Sequence, residues 1–185
     1  GLLILLAVIF GLYILLILYY WKSWLSIPVY KIKNQKSKTK ITVVIPARNE
    51  EENIAACLDS VCSQSYPQEL FEVLVVDDYS TDNTAAIIKN YSLQNVKLIS
   101  LKDFINADLN SYKKKAIEIA IQQSSGELIV TTDADCIVPK NWLQTIAAFY
   151  EEQQPEFIAA PVSINCRFRF IEIFQALDFA TLQGI

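Results

Sequence analysis

The chain contains no histidine. Within these 185 residues that absence excludes a Ser-His-Asp triad, a histidine-ligated zinc and an imidazole base. Methionine is absent as well, so the chain lacks an initiator and is expected to begin inside a longer protein. It stops at Gly184-Ile185 without an obvious terminator, and a fragment at both ends is the expectation. Cys57, Cys62, Cys136 and Cys166 show no CxxC spacing, which argues against a thiolate metal site and leaves them as core fillers. Any metal would then be held by oxygen, a donor set that suits Mg²⁺ or Mn²⁺.

Charge is missing from residues 1–21 altogether. As a helix such a run spans roughly 30 Å, about the hydrocarbon thickness of a bilayer. A cleavable signal peptide would have a shorter apolar core ending in small residues, whereas this run ends in Tyr19-Tyr20-Trp21 and Lys22, aromatics beside a cation as at a membrane interface. One transmembrane helix over 1–21 is predicted, followed by a basic linker over 22–40. Lys22, Lys31, Lys33, Lys36, Lys38 and Lys40 precede the first acidic residue, Glu50. The positive-inside rule therefore places the rest of the chain in the cytoplasm, and the lysines suit anionic headgroups. Residues 1–49 hold seven of the sixteen basic residues and none of the twenty acidic ones, so residues 50–185 carry nine basic against twenty acidic side chains. A nucleic-acid partner is excluded on that balance, and a domain so acidic would need a cation to hold a diphosphate.

The remaining pattern alternates. Ile41 to Ile45, Phe71 to Val76, Val96 to Leu101, Leu128 to Thr132 and Phe157 to Pro161 read as strands. Helices are predicted from a capping box at Asn49 and Glu52 up to Tyr66-Pro67, over Thr84 to Ser92, over Tyr112 to Gln123 with Gly126 closing it, and over Lys140 to Tyr150. This is one α/β domain over 41–185 with a mainly parallel sheet. An apolar stripe of Phe170, Ile173, Phe174 and Leu177 is expected to pack on the sheet or lie on a membrane surface.

Two acidic constellations end strands. Asp133-Ala134-Asp135 follows Leu128-Ile129-Val130, and Asp77-Asp78 closes Phe71 to Val76. In an open parallel sheet ligands sit at strand ends, where two carboxylates can hold a divalent cation that bridges phosphate oxygens. Alone, such a pair is also a solvated turn or a helix cap. A phosphatase that uses the first Asp of DxD as nucleophile would want Thr or Val where Ile137 stands, and an earlier place in the domain. A receiver-type phosphoacceptor fits Asp77-Asp78 less well, because Ser80-Thr81-Asp82-Asn83-Thr84 reads as a loop entering a helix cap. An Asp there can accept a hydrogen bond from a base N–H.

Five stretches, taken together, resemble glycosyltransferase family 2. They are Val43-Val44-Ile45-Pro46-Ala47-Arg48-Asn49-Glu50-Glu51, Val75 through Thr84, Lys113-Lys114-Lys115-Ala116, Ser125-Gly126-Glu127 and Thr132-Asp133-Ala134-Asp135-Cys136. Their order and spacing, over about Ile41 to Trp142, are similar to the nucleotide-binding half of such an enzyme. The resemblance implies a GT-A fold and inverting transfer of a sugar from a nucleotide donor, most often a UDP-sugar. It implies that Pro46, Ala47, Arg48 and Glu50 line the nucleoside pocket, that Asp78 meets the base with Asp77 beside it, and that Lys113 lies near the nucleotide. Asp133 would contact ribose or metal, and Asp135 would ligate the metal.

Tyr112 stands where the family often has Gly before the lysine. The family's general base, an acidic residue well beyond the DxD, is expected past Ile185; Glu172 and Asp178 are candidates only by default. The expected whole is a membrane-anchored glycosyltransferase acting on a polysaccharide or a lipid-linked acceptor. A membrane module that binds nucleotide without catalysis is the alternative. A nucleotidyltransferase would carry a Gly-rich loop where Pro46-Ala47-Arg48-Asn49 stands.

Overall fold

The computed structural model describes residues 1–26, 30–32, 36–91, 95–104, 112–163 and 171. The chain divides into two compact units, Gly1–Lys31 with Pro155–Ile185, and Ile32–Gln154. In the first, α1 (Leu2–Ser26) is a 25-residue helix, about 37 Å long at 1.5 Å per residue. None of its residues is buried, and its large apolar side chains, Leu3 at 82% among them, are exposed along its whole length. It is long and apolar enough to cross a membrane. Residues 157–161, predicted as a strand, have no regular structure; Phe157 is 84% exposed, so the apolar pattern is not buried as that of a sheet strand would be. The stripe from Phe170 to Leu177 and the default bases Glu172 and Asp178 lie outside the described residues.

The second unit is built on a four-stranded sheet, β1 (Ile41–Ala47), β2 (Phe71–Asp77), β3 (Val96–Ser100) and β4 (Leu128–Thr131), in the order β3-β2-β1-β4. Every pairing is parallel: Ile41 is level with Phe71 and Leu128, and Val73 with Val96. The continuous apolar runs of β1 and β2 follow from burial on both faces. Ile41, Val43 and Ile45 with Phe71, Val73 and Val75 point into one core, shared with α2 (Ile54–Cys62), α3 (Thr84–Lys89) and α5 (Trp142–Gln153). Val44, Leu74 and Val76 point into the other, closed by Ala116, Ile119 and Ala120 of α4 (Tyr112–Gln123).

Two local expectations give way. The capping box at Asn49 does not form: α2 begins at Ile54 behind Asn53, and Asn49 takes a left-handed φ of 55°. Its side chain is needed elsewhere, as shown below. Gly126 does not end α4 through a left-handed cap either, since no glycine among the described residues has positive φ. It is glycine for want of space, because a Cβ there would stand 2.4 Å from Thr42 N.

The segment before β1 is tied to the domain. Glu151 Oε1 accepts from Lys38 N at 2.7 Å, Thr39 N at 3.0 Å and Thr39 Oγ1 at 2.8 Å, while Tyr66 Oη donates to Thr39 O at 2.7 Å. Burial pushes the Glu151 carboxyl up, but these hydrogen bonds outweigh it and hold the group below its ordinary value.

Candidate functional site at the carboxyl ends of the strands

Because β2 and β3 extend the sheet to one side of β1 and β4 to the other, the winding reverses between β1 and β4. A crevice at such a reversal, past the carboxyl ends of the strands, is where open α/β sheets bind ligands. Three of the four segments that leave the sheet at this edge carry the candidate residues: Arg48 onward after β1, Asp78 onward after β2, and Thr132 onward after β4.

The first two are stitched into one surface. Asn49 N donates to Ser80 Oγ at 3.0 Å, and Asn49 Oδ1 accepts from Thr81 N at 2.9 Å. Glu50 N donates to Thr84 Oγ1 at 2.8 Å, Glu51 N to Asp82 Oδ2 at 3.2 Å, and Asn83 N to Glu51 Oε2 at 3.0 Å. This explains the polar run Ser80 to Thr84, whose hydroxyls and carboxylates satisfy loop amides that have no sheet partner. The sequence reading missed the pairing, although two consecutive loops rich in Asn, Asp, Glu, Ser and Thr were its available signal. Asn49 and Tyr79, both at φ 55°, supply the turns. A tyrosine in that region is strained, and strain of this kind collects at functional sites.

Asp77 and Asp78 are 3% and 7% exposed. Asp77 is level with Ala47 across the sheet, and its Oδ1 accepts from Ser80 N at 3.3 Å, so it shapes the turn. Asp78 N donates to Ala47 O at 2.8 Å, which fixes the side chain against the end of β1. There Arg48 Nη1 lies 3.6 Å from Asp78 Oδ2. Asp78 Oδ1 is buried with no hydrogen-bond partner among the described residues. Burial is the main influence on the carboxyl; Arg48 opposes it, the Asp77 charge adds to it, and the net shift is upward. A buried acceptor without a donor is costly, and a ligand N–H is what would satisfy it.

β4 pairs with β1 only as far as Val44 opposite Thr131. After Thr132 N bonds Val44 O the chain peels away, and Ala134, 3% exposed, plugs into the core. Asp133 and Asp135 flank that plug, and both are exposed. Cys136 Sγ lies 3.7 Å from Asp135 Oδ1, and Cys57 Sγ lies 3.6 Å from Asp133 O. Burial, followed by the neighbouring Cys136 and Asp135, pushes the Cys57 thiol up to about 12, so it stays protonated and donates.

Pro46 and Glu50 are half-buried, Ala47 is buried and Arg48 is exposed, all on the rim after β1. Lys113 lies in the first turn of α4, with its side chain outside the described residues. No cluster of three or more His, Cys, Asp or Glu side chains forms among the described residues. Asp133 and Asp135 are two exposed carboxylates with one residue between them. Hard oxygens of this kind would fit Mg²⁺ or Mn²⁺, and two of them do not make a closed metal cage. A cleft of about 400 Å³ opens at the opposite, amino-terminal edge of the sheet, lined by Lys40, Gln68, Glu69, Glu72, Asn95 and Lys97. Neither the rim from Pro46 to Glu50 nor Asp77, Asp78, Asp133 or Asp135 lines that cleft.

The model of the family described as "Glycosyl transferase family 2" matches residues 42–172. The glycosyltransferase AglE of Haloferax volcanii is 38% identical over 104 residues, covering 56% of this chain and 33% of that protein. The crystal structure of residues 1–349 of Staphylococcus aureus TarS in complex with UDP-GlcNAc superposes with a TM-score of 0.55 at 31% identity, covering 67% of this chain and 37% of that one. The mannosyltransferase PcManGT from Pyrobaculum calidifontis, in complex with GDP-Man and Mn²⁺, gives 0.59 at 27% identity, covering 87% and 45%. The matched part is thus less than half the length of each of these relatives.

Proposed function

The chain belongs to glycosyl transferase family 2, and from that premise we propose that it forms the donor-binding part of a membrane-anchored, inverting glycosyltransferase that uses a UDP-sugar. The observation that carries the reading is Asp78 Oδ1, a buried acceptor without a hydrogen-bond partner among the described residues, held beside the end of β1. Uracil presents one ring N–H that matches it, and the UDP-GlcNAc complex of TarS supports a uridine donor. Guanine also carries N–H donors, so GDP is the competitor to test, as the GDP-Man complex of the mannosyltransferase indicates.

In this reading Pro46, Ala47, Arg48 and Glu50 line the nucleoside pocket, with Asp77 turning the loop beneath Asp78. Lys113 approaches the nucleotide from α4. Asp133 and Asp135 would hold Mg²⁺ or Mn²⁺, with Asp133 also placed for the ribose. The bound cation supplies charge that offsets the negative charge developing on the departing diphosphate. The acidic surroundings explain why the carboxylates alone would repel the donor. Helix α1 anchors the protein, and its lysine-rich flank sets the domain on the cytoplasmic side. The acceptor, a glycan or a lipid-linked sugar, meets the donor near that surface and loses a proton to a general base as it attacks.

Calorimetric titration of the whole chain in detergent, with UDP and GDP in the presence and absence of Mn²⁺, tests this. UDP binding should tighten at least about tenfold with Mn²⁺, and Asp135→Ala should lose that gain while keeping the metal-free affinity. A folded chain that binds neither nucleotide under either condition would sink the proposal.

A further inference from the structure

Between the end of β4 and the start of α5 the chain has no helix or strand of its own, yet it carries both acidic residues of the DxD. Such a segment would ordinarily sample many conformations and present Asp133 and Asp135 together only part of the time. What holds it is one face of α2 and the turn that follows. Cys57, Ser60 and Gln64 recur there at i, i+3 and i+7, near enough to helical spacing to share a side.

Each reaches the segment at a different point. Cys57 Sγ donates to Asp133 O at 3.6 Å. Val138 N donates to Ser60 Oγ at 3.1 Å, and that hydroxyl donates in turn to Cys57 O at 2.7 Å. Gln64 Nε2 donates to Pro139 O at 2.9 Å, and Gln64 Oε1 accepts from Leu143 N at 3.0 Å, in the first turn of α5. Gln64 is 8% exposed, and its amide uses both ends, donating also to Ser60 O at 3.0 Å. Next to it, Ser65 N donates to Lys140 O at 2.9 Å. The same helix starts where the nucleoside loop ends, since Ile54 N donates to Glu50 O at 2.9 Å.

The geometry points to Ser60 and Gln64 as positioning residues for the donor cation: neither touches donor or metal, and both act by fixing the segment that presents Asp133 and Asp135. The inference rests on the donor site proposed above. Its physical basis is preorganisation, because ordering the segment before binding removes that cost from the binding step. Groups that hold metal ligands in place commonly govern about ten- to hundred-fold in metal affinity.

The test is titration of the whole chain in detergent with UDP, with and without Mn²⁺, beside a thermal melt for each variant. Ser60→Ala removes the bond from Val138 N and the hydroxyl's own bond to Cys57 O, at a half-buried position. Gln64→Met keeps the volume but removes the bonds to Pro139 and Leu143. The Mn²⁺-dependent gain should fall roughly tenfold in Ser60→Ala and further in Gln64→Met, with metal-free UDP affinity within about twofold of wild type. Ser60→Thr, which keeps a hydroxyl, should restore the gain. A full Mn²⁺ gain in both folded variants overturns the positioning role. Loss of metal-free binding in step with the melting temperature overturns it too, since that is general destabilisation. A wild-type chain with no Mn²⁺ gain removes the donor site itself.

Discussion

Asp78→Asn is expected to weaken UDP binding by roughly thirty-fold or more and, at neutral pH, to raise the melting temperature. Both effects come from the same atoms. Arg48 faces Asp78 Oδ2 and will keep an oxygen there, so the new amide nitrogen falls where Oδ1 was and opposes the base N–H with another donor. Losing a hydrogen bond to a charged group in this way costs about 2–3 kcal/mol, which is that factor in Kd. On the stability side, burial raises the Asp78 carboxyl above its ordinary 3.8. The folded protein then holds the proton more tightly than the unfolded chain, so wild type loses stability as pH rises from the ordinary value through the folded one. The variant has no such carboxyl to ionise, and its advantage should appear above that window and vanish below it. Melts from pH 3 to 7 beside UDP titration check both halves. Unchanged UDP affinity would mean that the base does not sit on Asp78.

Gly126→Ala should cost about 3 kcal/mol, at the upper end for overpacking, or a fall of roughly 6–12 °C in melting temperature for a chain of this size. An added Cβ meets Thr42 N at 2.4 Å, Thr42 Oγ1 at 2.6 Å and Ile41 C at 2.7 Å. These are atoms of Ile41 and Thr42 in β1, 1% and 0% exposed, which have no room to retreat. The neighbourhood is already committed: Gly126 N donates to Thr42 Oγ1 at 2.9 Å, Thr42 Oγ1 to Glu72 Oε1 at 2.9 Å, and Ser125 N to the same carboxylate oxygen at 2.6 Å. Leu128 N follows with a bond to Lys40 O at 3.0 Å. Gly126 thus sets where β4 enters the sheet, and β4 delivers Asp133. A melting temperature within about 2 °C of wild type, less than 1 kcal/mol, would show that the turn can move.

Strands β1 and β2 were legible because parallel strands buried on both faces write their positions as unbroken apolar runs, as Val43-Val44-Ile45 and Val73-Leu74-Val75-Val76 do. Helix α4 was legible to both ends, since its apolar period is long. Residues 157–161 carried the same apolar signal yet take no regular structure and leave Phe157 exposed, which no local pattern reports. Asn49 misled because the residue type that caps a helix also tolerates left-handed φ, and the choice between them was made by Thr81 in another loop. For the site, the order of the acidic pairs after their strands was enough to bring Asp78 and Asp133 to one sheet edge. The pinning of the Asp133 segment by Ser60 and Gln64 was not readable, because those bonds join residues more than seventy positions apart. Cys57 was read as core filler; it is that, and it also donates to Asp133 O.

The most direct measurement is photolabelling of the whole chain in detergent with 5-azido-UDP and Mn²⁺, followed by mapping of the modified peptides. The account predicts label within residues 46–53 or 77–84, at the carboxyl edge of β1 and β2, and its loss when excess UDP is added. Label confined to the cleft around Lys40, Glu69 and Lys97 at the opposite edge, competed by UDP, would contradict it.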